Sequence, residues 1–254
     1  MKRLISYISL FAALTAIPVF VSCSDSDDDN DNNGGSTESA KHIVRIVNAQ
    51  IGGVGNGTDK TYSYDTQGRV VSVKGEEYYI GKVLNEETTY QYDQNSIQSH
   101  LQKGSYSVDQ LYTLSNGLIV KDFEKTVTSG HVYTSTCTLK YDNNGYLTSI
   151  TEEYDGEKFT KDVVWKNGDI TNIGEAVYTY SDIKWNNNMI FDFGYNQDQN
   201  LFLHGYYGKL PQHMPLTNGS YYEKYEYTLE DGYINKIISK GGIDGDFELT
   251  YYWE

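Results

Sequence analysis

The side chains of this 254-residue chain that could do chemistry are few and scattered. Three pairs of adjacent acids come first: Glu76-Glu77, Glu86-Glu87 and Glu152-Glu153. Two carboxyl groups flanking a glycosidic bond can supply the acid and base of sugar hydrolysis. Neighbouring residues of a strand point to opposite faces, so none of these pairs forms such a dyad by itself. The histidines are His42, His100, His131, His204 and His213, and none has a second His, Cys or carboxylate at a metal-ligand spacing. Asp142-Asn143-Asn144-Gly145 begins like a calcium loop, but its glycine comes too early and no acid completes it, so it reads as a turn. Nucleophile elbow, phosphate loop and dinucleotide fingerprint are all missing. The sequence therefore predicts a non-catalytic chain with no cofactor and no metal.

Two cysteines and three tryptophans remain. Cys137 shares strand parity with Leu139 and Tyr141, which reads as a buried, inert thiol. Trp165, Trp185 and Trp253 could build a flat platform for stacking sugar rings. The competing reading is ordinary cross-strand packing of aromatic residues.

The elements that would position these groups are strands. Twenty-five tyrosines, with frequent Thr, Val and Ile, favour β-structure. Turn residues punctuate the runs, as in Asp65-Thr66-Gln67-Gly68, Asp142-Asn143-Asn144-Gly145 and Leu229-Glu230-Asp231-Gly232. A degenerate repeat underlies the hairpins. Gly68 is followed by Val70 and Val73, Gly145 by Leu147 and Ile150, and Gly232 by Ile234 and Ile237. Apolar residues two and five after a glycine fall on opposite faces unless a bulge intervenes, so bulged or strongly twisted strands are expected there. The expected fold is all-β: an antiparallel meander of many hairpins in a curved, barrel-like sheet. A short helix or loop insertion is expected near 186–218. Leu201-Phe202-Leu203 could form a helical turn, and Gly208 to Leu216, with Pro211 and Pro215, reads as a loop or cap.

The N-terminus carries an address. Lys2 and Arg3 precede a mostly apolar run from Leu4 to Val21, then Ser22-Cys23. An uncleaved anchor competes with a cleaved signal, but a small residue before cysteine favours cleavage. The stretch resembles a bacterial lipobox, with Phe20 where the usual pattern prefers Leu. That resemblance implies lipidation of Cys23 after removal of residues 1–22. Ser24, Asp25, Ser26, Asp27, Asp28 and Asp29 resemble the acidic export signal of Bacteroidetes surface lipoproteins. Residues 23–40 contain no large apolar side chain and cannot fold alone, so they read as a disordered tether. Residues 41–254 read as a single domain.

The formal charge is −15. Removing Lys2 and Arg3 with the signal makes it −17, and setting aside the six acids of the tether leaves −11 on the domain. Such a surface repels phosphate backbones, so nucleic acid is not expected as a partner. Membrane contact is expected through the N-terminal lipid only. The run Tyr222-Glu223-Lys224-Tyr225-Glu226-Tyr227 would put charge on both faces of a strand, which a lipid-facing wall does not tolerate.

The first hairpin, Tyr62 to Val73, resembles the tyrosine–aspartate repeat of large bacterial surface proteins over about a dozen residues. A more specific resemblance is to a Bacteroidetes lipoprotein domain of unknown function with a porin-like fold. It is carried by Tyr207-Gly208-Lys209-Leu210-Pro211, Met214-Pro215, Tyr225-Glu226-Tyr227, Gly232-Tyr233-Ile234-Asn235-Lys236-Ile237 and the closing Leu249-Thr250-Tyr251-Tyr252-Trp253. The resemblance implies a barrel and no known activity. The expected role is a lipid-anchored outer-membrane protein, facing outside, that binds a glycan, peptide or protein. The alternatives are a structural component of the envelope and, third, a hydrolase whose carboxylates meet only in three dimensions.

Overall fold

The computed structural model describes residues 41–53, 55–79, 81–185, 189–190, 198–202, 204–218, 223–242 and 245–254. Eleven strands fill the first part: β1 (Ile43–Gln50), β2 (Gly57–Tyr64), β3 (Val70–Tyr79), β4 (Lys82–Tyr92), β5 (Ser96–Lys103), β6 (Tyr106–Ser115), β7 (Leu118–Thr128), β8 (His131–Tyr141), β9 (Leu147–Tyr154), β10 (Glu157–Lys166) and β11 (Asp169–Ile173). Then come β12 (Ala176–Val177), β13 (Thr179–Lys184), the short helix α1 (Gln199–Phe202), β14 (His213–Asn218), β15 (Glu223–Glu230), β16 (Tyr233–Gly242) and β17 (Gly245–Trp253). Alternation makes these strands. On β4, Glu86, Thr88, Tyr90 and Tyr92 turn inward, while Asn85, Glu87, Thr89 and Gln91 face water.

Neighbours in sequence pair antiparallel from β2 through β12 and from β13 through β17. Only Tyr178 separates β12 from β13, and its N–H bonds the Thr171 carbonyl. The two pieces run in the same direction and make one strand of the wall. Seventeen labelled strands are thus sixteen wall strands. An even number lets the first and last strands of a meander meet antiparallel, and they do, with Ile46 opposite Tyr251 and Gln50 opposite Phe247. β1 also pairs with β2, so the ring closes. Its ladder is thinnest at β11–β12 and β14–β15, with two residue pairs each.

The predicted bulges are present. Ladder register shifts where Tyr64 meets Val70, where Tyr141 meets Leu147 and where Leu229 meets Ile234. Each bulge turns the residues two and five after the glycine to the same inner face, and all six are buried. Two further copies follow the same rule. After Gly168 come buried Ile170 and Ile173, and after Gly117 come buried Ile119 and Asp122, again with a register shift. Four copies place Val or Ile at the fifth position; the Gly117 copy places an acid.

The apolar core lies at one end of the barrel, beside the turns at 65–69, 116–117, 142–146, 167–168 and 231–232. The chain enters the wall there, where His42 and Glu254 exchange two backbone hydrogen bonds. Aromatic side chains latch this end. Tyr92 Oη donates to the Val70 carbonyl, Tyr141 Oη to Ile119, Trp165 Nε1 to Leu147 and Trp253 Nε1 to Ile234, at 2.6–2.8 Å. Tyr64 and Tyr227 do the same to Ile43 and Pro215. Each satisfies a carbonyl at a point where the barrel wall is packed shut.

Between β13 and β14 the chain plugs the closed end. Trp185, Met189, Ile190, Leu201, Phe202 and Tyr207 are all buried. The expected helical turn is α1. Gly208 holds a left-handed backbone (φ 85°), and a Cβ there would lie 2.3 Å from the Gly145 carbonyl oxygen, to which Lys209 N–H bonds at 2.9 Å. The expected loop ends sooner than Leu216. From His213 the chain is a wall strand, and Pro215 is accommodated because the β13–β14 ladder is irregular around it.

Candidate functional site

The three glutamate pairs straddle the wall. Glu77, Glu86 and Glu152 point inward and bind Lys103, Lys60 (2.7 Å) and Lys161 (3.1 Å). Among their outward partners, Glu87 and Glu153 bind Lys74 and Lys158, while Glu76 accepts a hydrogen bond from Tyr78 Oη. No dyad forms within a pair, as strand geometry requires. The outer wall carries charged pairs around the barrel, further ones being Arg45–Asp59, His100–Asp109, Lys236–Glu248 and Lys240–Glu226, among exposed apolar side chains such as Leu111, Phe123, Val132 and Val164. A continuous lipid-facing belt is not compatible with such pairs. Two grooves indent this wall, of about 820 Å³ along β1–β5 and about 420 Å³ along β4–β7. Most of the charged groups in them are already paired with one another, as Arg45 with Asp59 and His100 with Asp109.

The inner wall differs. Above the apolar core a hydrogen-bonded network runs from the plug into the barrel. Asp198 is half-buried and accepts from Tyr90 Oη at 2.7 Å, from Asn200 N–H at 2.9 Å and from Tyr112 Oη at 3.4 Å. Tyr112 Oη also reaches Gln110 Oε1 at 2.7 Å. Gln110 Nε2 in turn faces Asp122 Oδ2 and Glu124 Oε2, each at 3.4 Å. Thr126 Oγ1 donates to the other Glu124 oxygen at 2.9 Å. Asp122 is 7% exposed, and its Oδ1 has no hydrogen-bond partner. No described Lys or Arg lies within ion-pair distance of Asp122, Glu124 or Asp198.

Burial, then the nearby charges of Glu124 and Asp198, push the Asp122 carboxyl up to about 7. Burial also raises Asp198, against the hydrogen bonds that favour its charged form. Cys137 sits between Asp122 and Glu152 in register, half-buried; burial pushes its thiol up to about 12, which is the inert state expected from sequence.

Toward the far end the inner face opens to solvent. Phe159 (58% exposed), Tyr154 (50%) and Tyr133 (43%) share the inward parity of Val163, Ile150 and Leu139 on their strands. Tyr79 and Tyr106 continue this aromatic mouth on β3 and β6. Phe159 pairs in register with Glu152, which pairs with Cys137, which pairs with Asp122. Tyr154 pairs with Ser135, and Ser135 with Glu124. The small side chains of Cys137 and Ser135 thus lie between acids on one side and rings on the other.

The tryptophans do not come together. Trp185 is buried in the plug, and Trp165 and Trp253 are half-buried latches on β10 and β17, strands that do not pair. Of the histidines, His213 bonds Asp169 at 2.9 Å and pins the plug's exit, while burial holds His204 down at about 4. Asp142 is a turn residue, its Oδ1 accepting from Asn144 and Tyr146 N–H. Among the described residues no three His, Cys, Asp or Glu side chains are grouped to hold a metal. Cys23 and residues 24–29 lie outside the described residues.

A closed up-and-down barrel with a plugged end, a charge-paired outer wall and an acidic inner wall defines the class structurally. Residues 62–251 match the family described as "Domain of unknown function (DUF4595) with porin-like fold", and the chain belongs to it. Among solved structures it is similar to a porin-like protein from Bacteroides uniformis ATCC 8492, at 18% identity and TM-score 0.60, covering 84% of this chain and 96% of that one. A porin-like protein from Bacteroides vulgatus ATCC 8482 is similar at 11% identity and TM-score 0.54, covering 85% and 99%. These likenesses concern the fold. No curated protein matches the chain.

Proposed function

We propose that this chain is a lipid-anchored outer-membrane surface protein that binds a ligand, without catalysis, at the open end of its barrel. The observation that carries the binding role is the inward-facing, solvent-exposed aromatic mouth of Tyr133, Tyr154 and Phe159 above a polar wall. Rings that a soluble barrel has no structural need to expose mark a contact surface. The anchoring half rests on Cys23 and the acidic residues behind it, and the charged pairs of the outer wall support a barrel held outside the lipid. Asp122, whose carboxyl burial pushes up to about 7, is the described group that most favours a hydrolase. Its burial argues against that role, since a general acid must reach its substrate.

The test has two arms. Cys23→Ser should release the protein from membranes, and replacing Asp27 to Asp29 with Ala should remove it from the reach of external protease. Screens of glycans, peptides and envelope proteins should give a ligand whose binding is lost in a Tyr154→Ala, Phe159→Ala double variant. A ligand that binds the double variant unchanged places the contact elsewhere.

A further inference from the structure

We propose that the free edge of β10 at the mouth, over Glu157 to Asp162, binds an extended basic peptide as an added antiparallel strand. The inference rests on the mouth being a ligand site and adds the class of ligand.

The edge follows from unequal strand lengths. β10 pairs with β9 from Glu157 to Asp162, but β11 reaches β10 only from Val163 to Lys166. Just beyond, Gly174 N–H bonds the Asp162 carbonyl at 2.8 Å and the chain turns back into β12. Residues 157–162 therefore have a neighbouring strand on one side only. The overhangs of β4 past β5 and of β8 past β9 are shorter, over 82–85 and 131–134.

Hairpin geometry fixes which backbone groups are open. Tyr154 and Glu157 face each other across the left-handed turn residues Asp155 and Gly156, so they exchange hydrogen bonds. Odd-numbered residues at this end of β10 thus direct their N–H and C=O groups toward β9. Lys158, Thr160 and Asp162 direct theirs the other way, as the bond from Gly174 to Asp162 shows. Among the described residues, nothing takes the N–H or C=O of Lys158 or Thr160. Such a row is matched by one kind of partner, another backbone in extended form.

The side chains say which peptide. Phe159 faces inward at this edge and is 58% exposed, with no strand beside it on the open side. An apolar side chain directly opposite would cover it. Lys158 and Lys161 are neutralised by Glu153 and Glu152. Glu157 and Asp162, at the two ends of the edge, have no ion-pair partner among the described residues. The edge is therefore acidic at both ends and apolar between them. Its complement is a strand with a basic residue at each end and an apolar one between. A glycan would cover the ring and leave the backbone row to water.

The probe is a labelled peptide, acetyl-KTTVTK-amide, titrated with the full-length chain at low salt and read by fluorescence anisotropy. Laid antiparallel on β10, its lysines fall opposite Asp162 and Glu157 and its valine opposite Phe159. Its third and fifth residues fall opposite Thr160 and Lys158. It should bind with a Kd below about 1 mM. N-methylation of the third or fifth residue, whose N–H joins the ladder, should weaken binding at least about tenfold. N-methylation of the valine, whose N–H points away, should not. The acidic analogue acetyl-ETTVTE-amide should bind several-fold more weakly, and equal binding would overturn the basic class. Thr160→Pro removes an edge-facing N–H at a position where proline is tolerated, so it should abolish binding while the melting temperature holds. The methylated peptides make the same test without touching the protein. Binding that is lost in the Tyr154→Ala, Phe159→Ala double variant but indifferent to N-methylation and to Thr160→Pro would overturn strand addition and leave the mouth site standing. Binding indifferent to the double variant would count against the mouth itself. Sedimentation at micromolar concentration should show a monomer. A dimer that Thr160→Pro splits would make a second copy the occupant and overturn the peptide, as would failure of the basic probe to bind at about 5 mM.

Discussion

Replacing Asp122 by Asn removes a charge that the barrel does not neutralise and keeps the shape of the side chain. The carboxyl is raised from 3.8 to about 7 in the folded protein. A group with a raised folded-state value stabilises the fold most below its unfolded value and loses that contribution as pH rises through 7. The cost of ionising it inside the barrel is about 4 kcal/mol in full, of which about 3 kcal/mol falls between pH 5 and pH 8. The asparagine variant has no such loss. Urea unfolding of both proteins at pH 5, 6, 7 and 8 should therefore show the variant gaining on the native protein, by about 3 kcal/mol over that range, with the gain levelling above pH 7. Urea leaves ionic strength unchanged, which a guanidinium salt would not. Glu124 and Asp198 share the effect, so Glu124→Gln should lower the pH at which levelling begins. A stability difference between Asp122→Asn and the native protein that is flat from pH 5 to pH 8 would refute the reasoning.

Gly208→Ala should destabilise the fold by about 2 kcal/mol or more, because the residue is left-handed and its new methyl meets the Gly145 carbonyl; thermal melting would drop by several degrees. Tyr141→Phe removes the latch to the Ile119 carbonyl and should cost about 1 kcal/mol, read by urea midpoint, without altering the mouth. Ile150→Ala opens the filled end of the barrel and should cost about 2–5 kcal/mol in the same assay. Cys23→Ser should move the protein from the membrane fraction to the soluble fraction of fractionated cells.

Much of the wall was legible because its rules are local. Glycine followed by apolar residues at odd spacing demands a bulge, and Val70–Val73, Leu147–Ile150 and Ile234–Ile237 all have one. Strand alternation alone separates Glu152 from Glu153. The network was not legible, because Asp198 meets Tyr90 across 108 positions of sequence. Asp122 left a signal that three copies of the repeat do not reveal. Aligning Gly117 with the other glycines puts an acid where Val73, Ile150, Ile173 and Ile237 stand. Tryptophan is ambiguous for a physical reason: the ring that stacks on a ligand also fills a core, and only Trp185, Trp165 and Trp253 in place show the second use. Pro215 misleads because a proline is tolerated where a ladder is already broken.

The meeting of β1 with β17 has a consequence for recognition. A sheet that ends in an open edge can capture an extended peptide as one more strand, or stack edge to edge with its own copies. A ring whose first and last strands are joined offers no such edge at that seam. Along β1 and β17 a ligand must therefore be held by side chains, and specificity there is open to change one substitution at a time while the scaffold stays the same.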